Sequence, residues 1–255
     1  MIRLPHFVSN TIGPYFANPI WWRIRSRGRI NVAGDTILVD HLYKFKFNNR
    51  TEYISTLRNL NEVFIDGIYK INVSGKVVLD VGSNIADSPI YFISRGAYKV
   101  IGVEPFPATF KLAEFNLRQN NLDKQIEMVN AAIGVKPGII RLGENNLDSS
   151  NLNAFACKTK GGQKIPVVTL KQLIHKYLIE DAIAKFDCEG AEYDVIMKAE
   201  KSTLQAFTDI IVEYDSDHVF YENESKQLEQ KFDSVGFTLF SINENTSIMH
   251  FRRDD

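Results

Sequence analysis

The sequence predicts an α/β fold built on a mainly parallel sheet with helices on both faces. Three observations carry that expectation. From Lys76 the chain repeats strand, turn and helix; the strands are short apolar runs; and the unusual residues fall just after strand ends. At 255 residues with 44% hydrophobic content, the chain can form one generous α/β domain, or such a domain with a modest N-terminal addition.

The first 20 or so residues read as an irregular aromatic arm containing Phe7, Tyr15 and Phe16, followed by Trp21-Trp22. Arg23, Arg25, Arg27 and Arg29 alternate, which predicts one face of an extended strand. Ala33-Gly34-Asp35 is a turn signal and Thr36–Lys46 resumes as strand, so a hairpin is expected. Ile54, Leu57, Leu60 and Phe64 are spaced for a helix over Thr51–Tyr69. The expected division is an arm and hairpin over residues 1–50 and a larger domain over 51–255.

In that domain Val77-Val78-Leu79 predicts a first strand ending at Asp80-Val81-Gly82, with a helix over Ile85–Ser94. Lys99–Val103 is a second strand closing on Glu104-Pro105, and Ala108–Asn120 is helical. Ile126–Ile133 reads as a third strand, followed by a hairpin-like stretch turning at Pro137-Gly138. Thr169–Tyr177 is a helix, Ala184–Cys188 a fourth strand, Ala191–Ala199 a helix and Asp209–Glu213 a fifth strand. A polar helix over Glu222–Ser234 precedes an antiparallel pair, Phe237–Ile242 and Ser247–Phe251.

Composition narrows the function. With 30 basic and 31 acidic residues the net charge is −1, which gives no reason to expect nucleic acid. No run approaches the roughly 18 apolar residues that cross a bilayer. Pro5, Asn10, Pro14, Asn18 and Pro19 interrupt any signal-peptide core, and Cys157 and Cys188 are too few for a disulfide framework, so a cytoplasmic setting is expected. Residues 1–34 contain no acid but five arginines. Beside Trp21 and Trp22 these read either as a strand edge kept soluble by charge or as a peripheral contact with lipid headgroups or an anionic acceptor.

The loop Asp80-Val81-Gly82-Ser83-Asn84-Ile85-Ala86 lies between a buried strand and a helix. Gly82 allows a tight turn, and the helix N-terminus offers unpaired N–H groups. The spacing is not G-x-G-x-x-G, and a carboxylate, Asp80, stands two positions before the glycine. That suits a ligand carrying an amino group or a sulfonium; the plainer reading makes Asp80 a helix cap. Glu104, at the end of strand two and about 20 residues beyond the turn, is placed to accept both hydroxyls of a ribose. Asn130-Ala131-Ala132, at the end of strand three, reads either as a border for an adenine ring or as a simple strand end.

Taken with Lys185-Phe186-Asp187-Cys188-Glu189-Gly190-Ala191-Glu192, these motifs resemble the FkbM family of methyltransferases from about Lys76 to Glu213. The resemblance implies a Rossmann-like class I methyltransferase fold, with a mainly parallel seven-stranded sheet and a C-terminal antiparallel pair. It also implies S-adenosylmethionine as cofactor and, typically, O-methylation of a hydroxyl on a sugar, glycan or small metabolite. By that likeness Asp80, Gly82, Ser83 and Asn84 form the methionine-side loop, and Glu104, with Pro105 beside it, is the ribose acid. Three positions depart from the family pattern. The family usually has glycine where this chain has Ala86, often alanine where it has Ser83, and commonly an acid where it has Lys171.

Methyl transfer from a sulfonium to oxygen needs an aligned acceptor, exclusion of water and a proton acceptor. Candidates follow strands four and five: Asp187, Glu189, Glu192, Glu213, Asp215 and His218. Strand four neighbours strand one in a class I fold, which makes Asp187 the residue nearest the sulfonium, with Glu189 or Glu213 as base or hydroxyl acceptor. Glu192 also reads as a first-turn helix acid, and His175, inside a helix, as structural. No ligand spacing supports a metal. The competing functions are a nicotinamide-dependent oxidoreductase, which the missing second glycine argues against, and a cofactor-binding protein without activity.

Overall fold

The computed structural model describes residues 18–142, 162–188, 190–214, 224–243 and 247–254. The expected arginine strand is instead a helix, α1 (Pro19–Arg25). Asn18 caps it by accepting from the Ile20 amide, and Pro19 at the first turn has no N–H to lose. Only Arg23 and Arg25 fall in this helix, and Arg27 and Arg29 lie in the turn that follows it. Arg25 lies 3.4 Å from Asp66, Arg29 pairs with Asp40, and Arg23 and Arg27 remain exposed. The aromatic arm preceding α1 lies almost wholly outside the described residues.

The expected hairpin is a three-stranded antiparallel sheet, β1 (Ile30–Ala33), β2 (Thr36–Val39) and β3 (Tyr43–Lys46). Asp40 and His41, both at positive φ, break the second predicted strand into two. Helix α2 (Arg50–Leu60) is capped by Asn49 and continues as a π-helical turn, Asn61–Asp66, that stops at left-handed Gly67. Such turns are found often at functional sites. This one delivers Ile68–Ile71 to the face of the main sheet.

That sheet has seven strands in the order β12-β13-β11-β10-β4-β5-β6. Its parallel members are β4 (Val77–Val81), β5 (Lys99–Val103), β6 (Ile126–Val129), β10 (Ala182–Phe186) and β11 (Phe207–Glu213). Next to β11, β13 (Ile248–Arg253) runs antiparallel and pairs with β12 (Phe237–Asn243). The connecting helices are α3 (Asp87–Ser94), α4 (Pro107–Gln119), α5 (Leu170–Tyr177), α6 (Ala191–Lys198), α7 (Lys201–Leu204) and α8 (Glu224–Ser234). The predicted third strand divides: β6 stops at Val129, and β7 (Ala132–Ile133) joins β8 (Gly138–Leu142) and β9 (Gln163–Val168) in a separate small sheet. Among the described residues, no helix is long and apolar enough to cross a membrane.

Period-two alternation sends neighbouring strand residues to opposite cores. Val78, Val100, Ile183, Ile211 and Ile248 pack on the face covered by Trp22, Ile30, Phe45, Leu57 and Phe64. Leu79, Ile101, Ala184, Val212 and Phe251 pack on the other, against Val195, Ile196, Leu228 and Phe232. The small N-terminal sheet is held to α4 by buried Asn116, whose side chain accepts from the Lys46 amide and donates to the Ile85 carbonyl. It therefore bears on the loop that follows β4.

Candidate functional site

The β4 loop is a set of backbone turns closed by side chains. Gly82 and Ser83 both donate their amides to the Val103 carbonyl, at 3.0 and 3.1 Å, and the Ser83 hydroxyl donates to the Asp80 carbonyl at 2.8 Å. Gly82 has φ +85°, and a Cβ built there would lie 1.6 Å from the Asp187 carbonyl oxygen. The glycine is thus required by the end of β10 pressing against the turn. Asn84 and Ala86 also take positive φ, +46° and +70°. Alanine is strained there by about 1–2 kcal/mol, a backbone reason for glycine at this position.

Glu104 joins the β4 and β5 loops. Its two carboxyl oxygens accept the amides of Asn84 at 3.0 Å and Phe106 at 2.9 Å. Burial pushes it up to about 8, although those amide bonds and Lys185 pull the other way. Asn130 donates to the carbonyls of Glu104 and Pro105, fixing this turn from the end of β6, and Ala131 is buried beside it. Asp87, the first residue of α3, is buried as well and pushed up to about 7, chiefly by burial.

Lys185 is the centre that the sequence pattern did not mark. It is almost wholly enclosed in an otherwise apolar strand, directly across from Asp80 in the β10–β4 register. Its ammonium donates to the Gly82 carbonyl at 2.8 Å, and lies 3.0 Å from the Asp80 carboxylate and 3.3 Å from that of Asp187. Burial lowers its affinity for a proton, but Asp187 and Asp80 together outweigh burial, so it is held above the ordinary lysine range and stays charged. Asp80 also accepts the Ser88 hydroxyl at 2.6 Å. In this structure the cation that Asp80 holds is the protein's own.

A second residue missed from the sequence is Tyr69. Its hydroxyl lies 2.9 Å from Asp187 and 3.4 Å from Glu213, between the carboxylates that end β10 and β11. Burial first, then those carboxylates, push its hydroxyl well up, so it remains a donor. The Asp187 side chain keeps 29% of its surface exposed, enough to meet a ligand. Glu189, Asp215 and His218 fall outside the described residues. Glu192 is buried and accepts the Gly190 amide at 2.8 Å and the Cys188 thiol at 3.0 Å, as a residue closing the β10–α6 turn does.

The structure therefore brings Asp80, Glu104, Asp187 and Glu213 to one edge of the sheet, with Asp87 beneath and Lys185 as the cation among them. More acid than base converges there. Burial keeps Glu104 and Asp87 protonated more readily than free carboxyls, and Asp80 is spent on Lys185, so of Asp80, Asp87, Glu104 and Asp187 only Asp187 is left partly exposed to a ligand. An acid at the end of β5 is suited to a sugar diol.

The methyltransferase FkbM domain family matches residues 80–239, more than half of the chain. No curated protein matches it. Among solved structures, the chain is similar to the Streptococcus agalactiae protein of the NADB-Rossmann superfamily, at 15% identity over 77% of this chain and 68% of that one, with a TM-score of 0.45. It is similar to M. capricolum TrmK, solved with S-adenosyl-homocysteine, at 12% identity over 77% and 68%, with a TM-score of 0.44. It is also similar to the ribosomal protein L11 methylase of Lactobacillus delbrueckii subsp. bulgaricus, at 13% identity over 81% of each chain, with a TM-score of 0.40.

Proposed function

We propose, from the premise that this chain belongs to the FkbM methyltransferase family, that it binds S-adenosylmethionine at the β4–β5 edge and methylates a hydroxyl of a small-molecule or glycan acceptor. The observation that carries this reading is the juxtaposition of Glu104, at the end of β5, with the Gly82–Asn84 turn, joined by the Asn84 amide donating to the Glu104 carboxyl at 3.0 Å. Bound there, S-adenosylmethionine would supply a methyl group already activated on a sulfonium.

Each residue then has a distinct task. Glu104 accepts the ribose hydroxyls while its present amide bonds hold it in place. Gly82, Ser83 and Asn84 shape the turn that passes the methionine end, and Pro105, Asn130 and Ala131 border the adenine. Asp80 acts from inside, as a positioning residue that keeps Lys185 under the loop. Lys185 and Tyr69 in turn hold Asp187 toward the reacting centre. Glu213, tied to Asp187 through Tyr69, takes the acceptor's proton, and Glu189 lies between the two in the chain. Removing a proton acceptor of this kind costs about 10²–10⁴ in rate.

Transfer of labelled methyl from S-adenosylmethionine to a panel of sugars, glycans and small alcohols tests the reading. Product with the native chain, and a loss of at least about tenfold in Glu213→Gln with cofactor affinity intact, are expected. No transfer to any hydroxyl, with transfer to amines instead, would remove the O-methylation assignment.

A further inference from the structure

Helix α1 turns two isoleucines to solvent: Ile20 and Ile24 are 67% and 73% exposed. Four residues apart, they lie on one face of the helix, with Arg23 beside them. Trp22, two residues from each, points the opposite way and is buried in the same core as Ile30 and Phe45. Ser26 fastens the end of the helix to β1, since its hydroxyl donates to the Arg23 carbonyl at 3.3 Å and accepts the Ile30 amide at 2.9 Å. The isoleucines are thus held outward by an anchored element. One exposed isoleucine is ordinary on a protein surface, whereas two stacked on a helical turn beside arginines form the face of a helix that lies in a lipid interface.

Charge selects what covers this face. Arg25 lies 3.4 Å from Asp66 and Arg29 pairs with Asp40, so the acids that meet this segment are already engaged. Arg23 and Arg27 are exposed and have no acidic partner among the described residues. Residues 1–34 hold five arginines and no acid while the whole chain carries a net charge of −1, so attraction to an anion is local to this segment. A second copy docked here would set arginine against arginine. A nucleic-acid backbone would engage the arginines and leave both isoleucines in water. An anionic bilayer satisfies the two features together.

We propose that α1 and the turn after it are a peripheral membrane contact, in which Ile20 and Ile24 enter the headgroup boundary of an anionic bilayer while Arg23 and Arg27 meet the lipid anions. The contact is reversible and weakens with salt, because two side chains insert and the arginines are screened. It stands independently of the methyl-transfer reading.

The test mixes the full chain with vesicles of phosphatidylcholine containing about 30% phosphatidylserine and, separately, with vesicles of phosphatidylcholine alone. Sedimentation should show partitioning tighter by about tenfold or more to the anionic vesicles. The chain's two tryptophans, Trp21 and Trp22, both lie in α1, so their fluorescence reports on this element alone, and acrylamide should quench it less once anionic vesicles are added. Ile20→Ser with Ile24→Ser, and separately Arg23→Gln with Arg27→Gln, should each weaken partitioning by about fivefold or more, with melting within about 2 °C of the native chain. Ile139→Ser, and Lys111→Gln with Arg118→Gln, make the same changes at exposed sites elsewhere and should leave partitioning as it is. Equal partitioning to the two vesicle types, no partitioning, or native-like binding by the α1 variants would overturn the proposal. So would binding of a single-stranded oligonucleotide in place of vesicles, or self-association that the isoleucine variant removes without any vesicle binding.

Discussion

Replacing Lys185 by Met keeps an unbranched side chain one heavy atom shorter and removes the one charge enclosed in β10. Asp80, with no exposed surface, then keeps only the Ser88 hydroxyl as donor, whereas Asp187 keeps Tyr69 and some solvent. The cost therefore falls mainly on Asp80. Removing one partner of a buried ion pair costs about 3–5 kcal/mol, and the lower end applies because Ser88 remains. At roughly 2–4 °C per kcal/mol for a chain of this size, melting falls by about 6–12 °C. The sign with pH follows from linkage. Without the ammonium, the folded-state pKa of Asp80 climbs, so protonation relieves the strain at acid pH and the deficit grows as pH rises. Urea unfolding of both proteins at about pH 5 and about pH 8 reads this directly. Adding Asp80→Leu to Lys185→Met should recover most of the loss, because no buried charge is then left unpaired. A single-variant deficit under about 1 kcal/mol, or one equal at both pH values, refutes the reasoning.

Three further outcomes follow from the same site. Ala86→Gly relieves an alanine at φ +70° and should raise stability by about 1 kcal/mol, read as a higher melting temperature; a lower one contradicts the strain assigned to it. Gly82→Ala forces a Cβ into the Asp187 carbonyl, 1.6 Å away, and should cost about 3 kcal/mol or more, lowering melting by at least about 6–12 °C or preventing folding; normal stability would show that the turn yields. Glu104 and Asp87 are pushed up to about 8 and about 7, so the folded state holds protons that the unfolded chain releases near pH 4. Their contribution is complete below that pH and is lost as pH climbs through 7 and 8. Without cofactor, urea unfolding should show at least about 2 kcal/mol less stability at pH 9 than at pH 6, with Glu104→Gln flattening the slope.

The strand and turn pattern was legible where a short apolar run ends in an acid or a glycine. Lys99–Val103 has the bounds its residues suggest, and β4, β10, β11 and the closing pair lie within two residues of theirs. The arginine stripe misled because alternating charge carries no burial information, whereas the Asn18-Pro19 cap decides for helix. Ile126–Ile133 split because the chain leaves one sheet for another at Asn130-Ala131, a change of partner that no local pattern records. In the site, Glu104, Asp187 and Glu213 were visible as acids at strand ends. Lys185 was visible only as a lysine among apolar residues; its meaning depends on lying opposite Asp80, a fact of register. Tyr69 is 118 residues from Asp187 and left no signal before the fold joined them.

The central claim is that Glu104 and the β4 turn hold an S-adenosyl nucleoside. Titration calorimetry of the native chain and Glu104→Ala with S-adenosylhomocysteine tests it most directly. The account predicts one site in the native chain, no heat from NADH, and affinity lower by about tenfold or more in the variant, as lost charge-assisted hydrogen bonds of roughly 1.5–3 kcal/mol require. Equal affinity in the two proteins, or binding of NADH in place of S-adenosylhomocysteine, would contradict it.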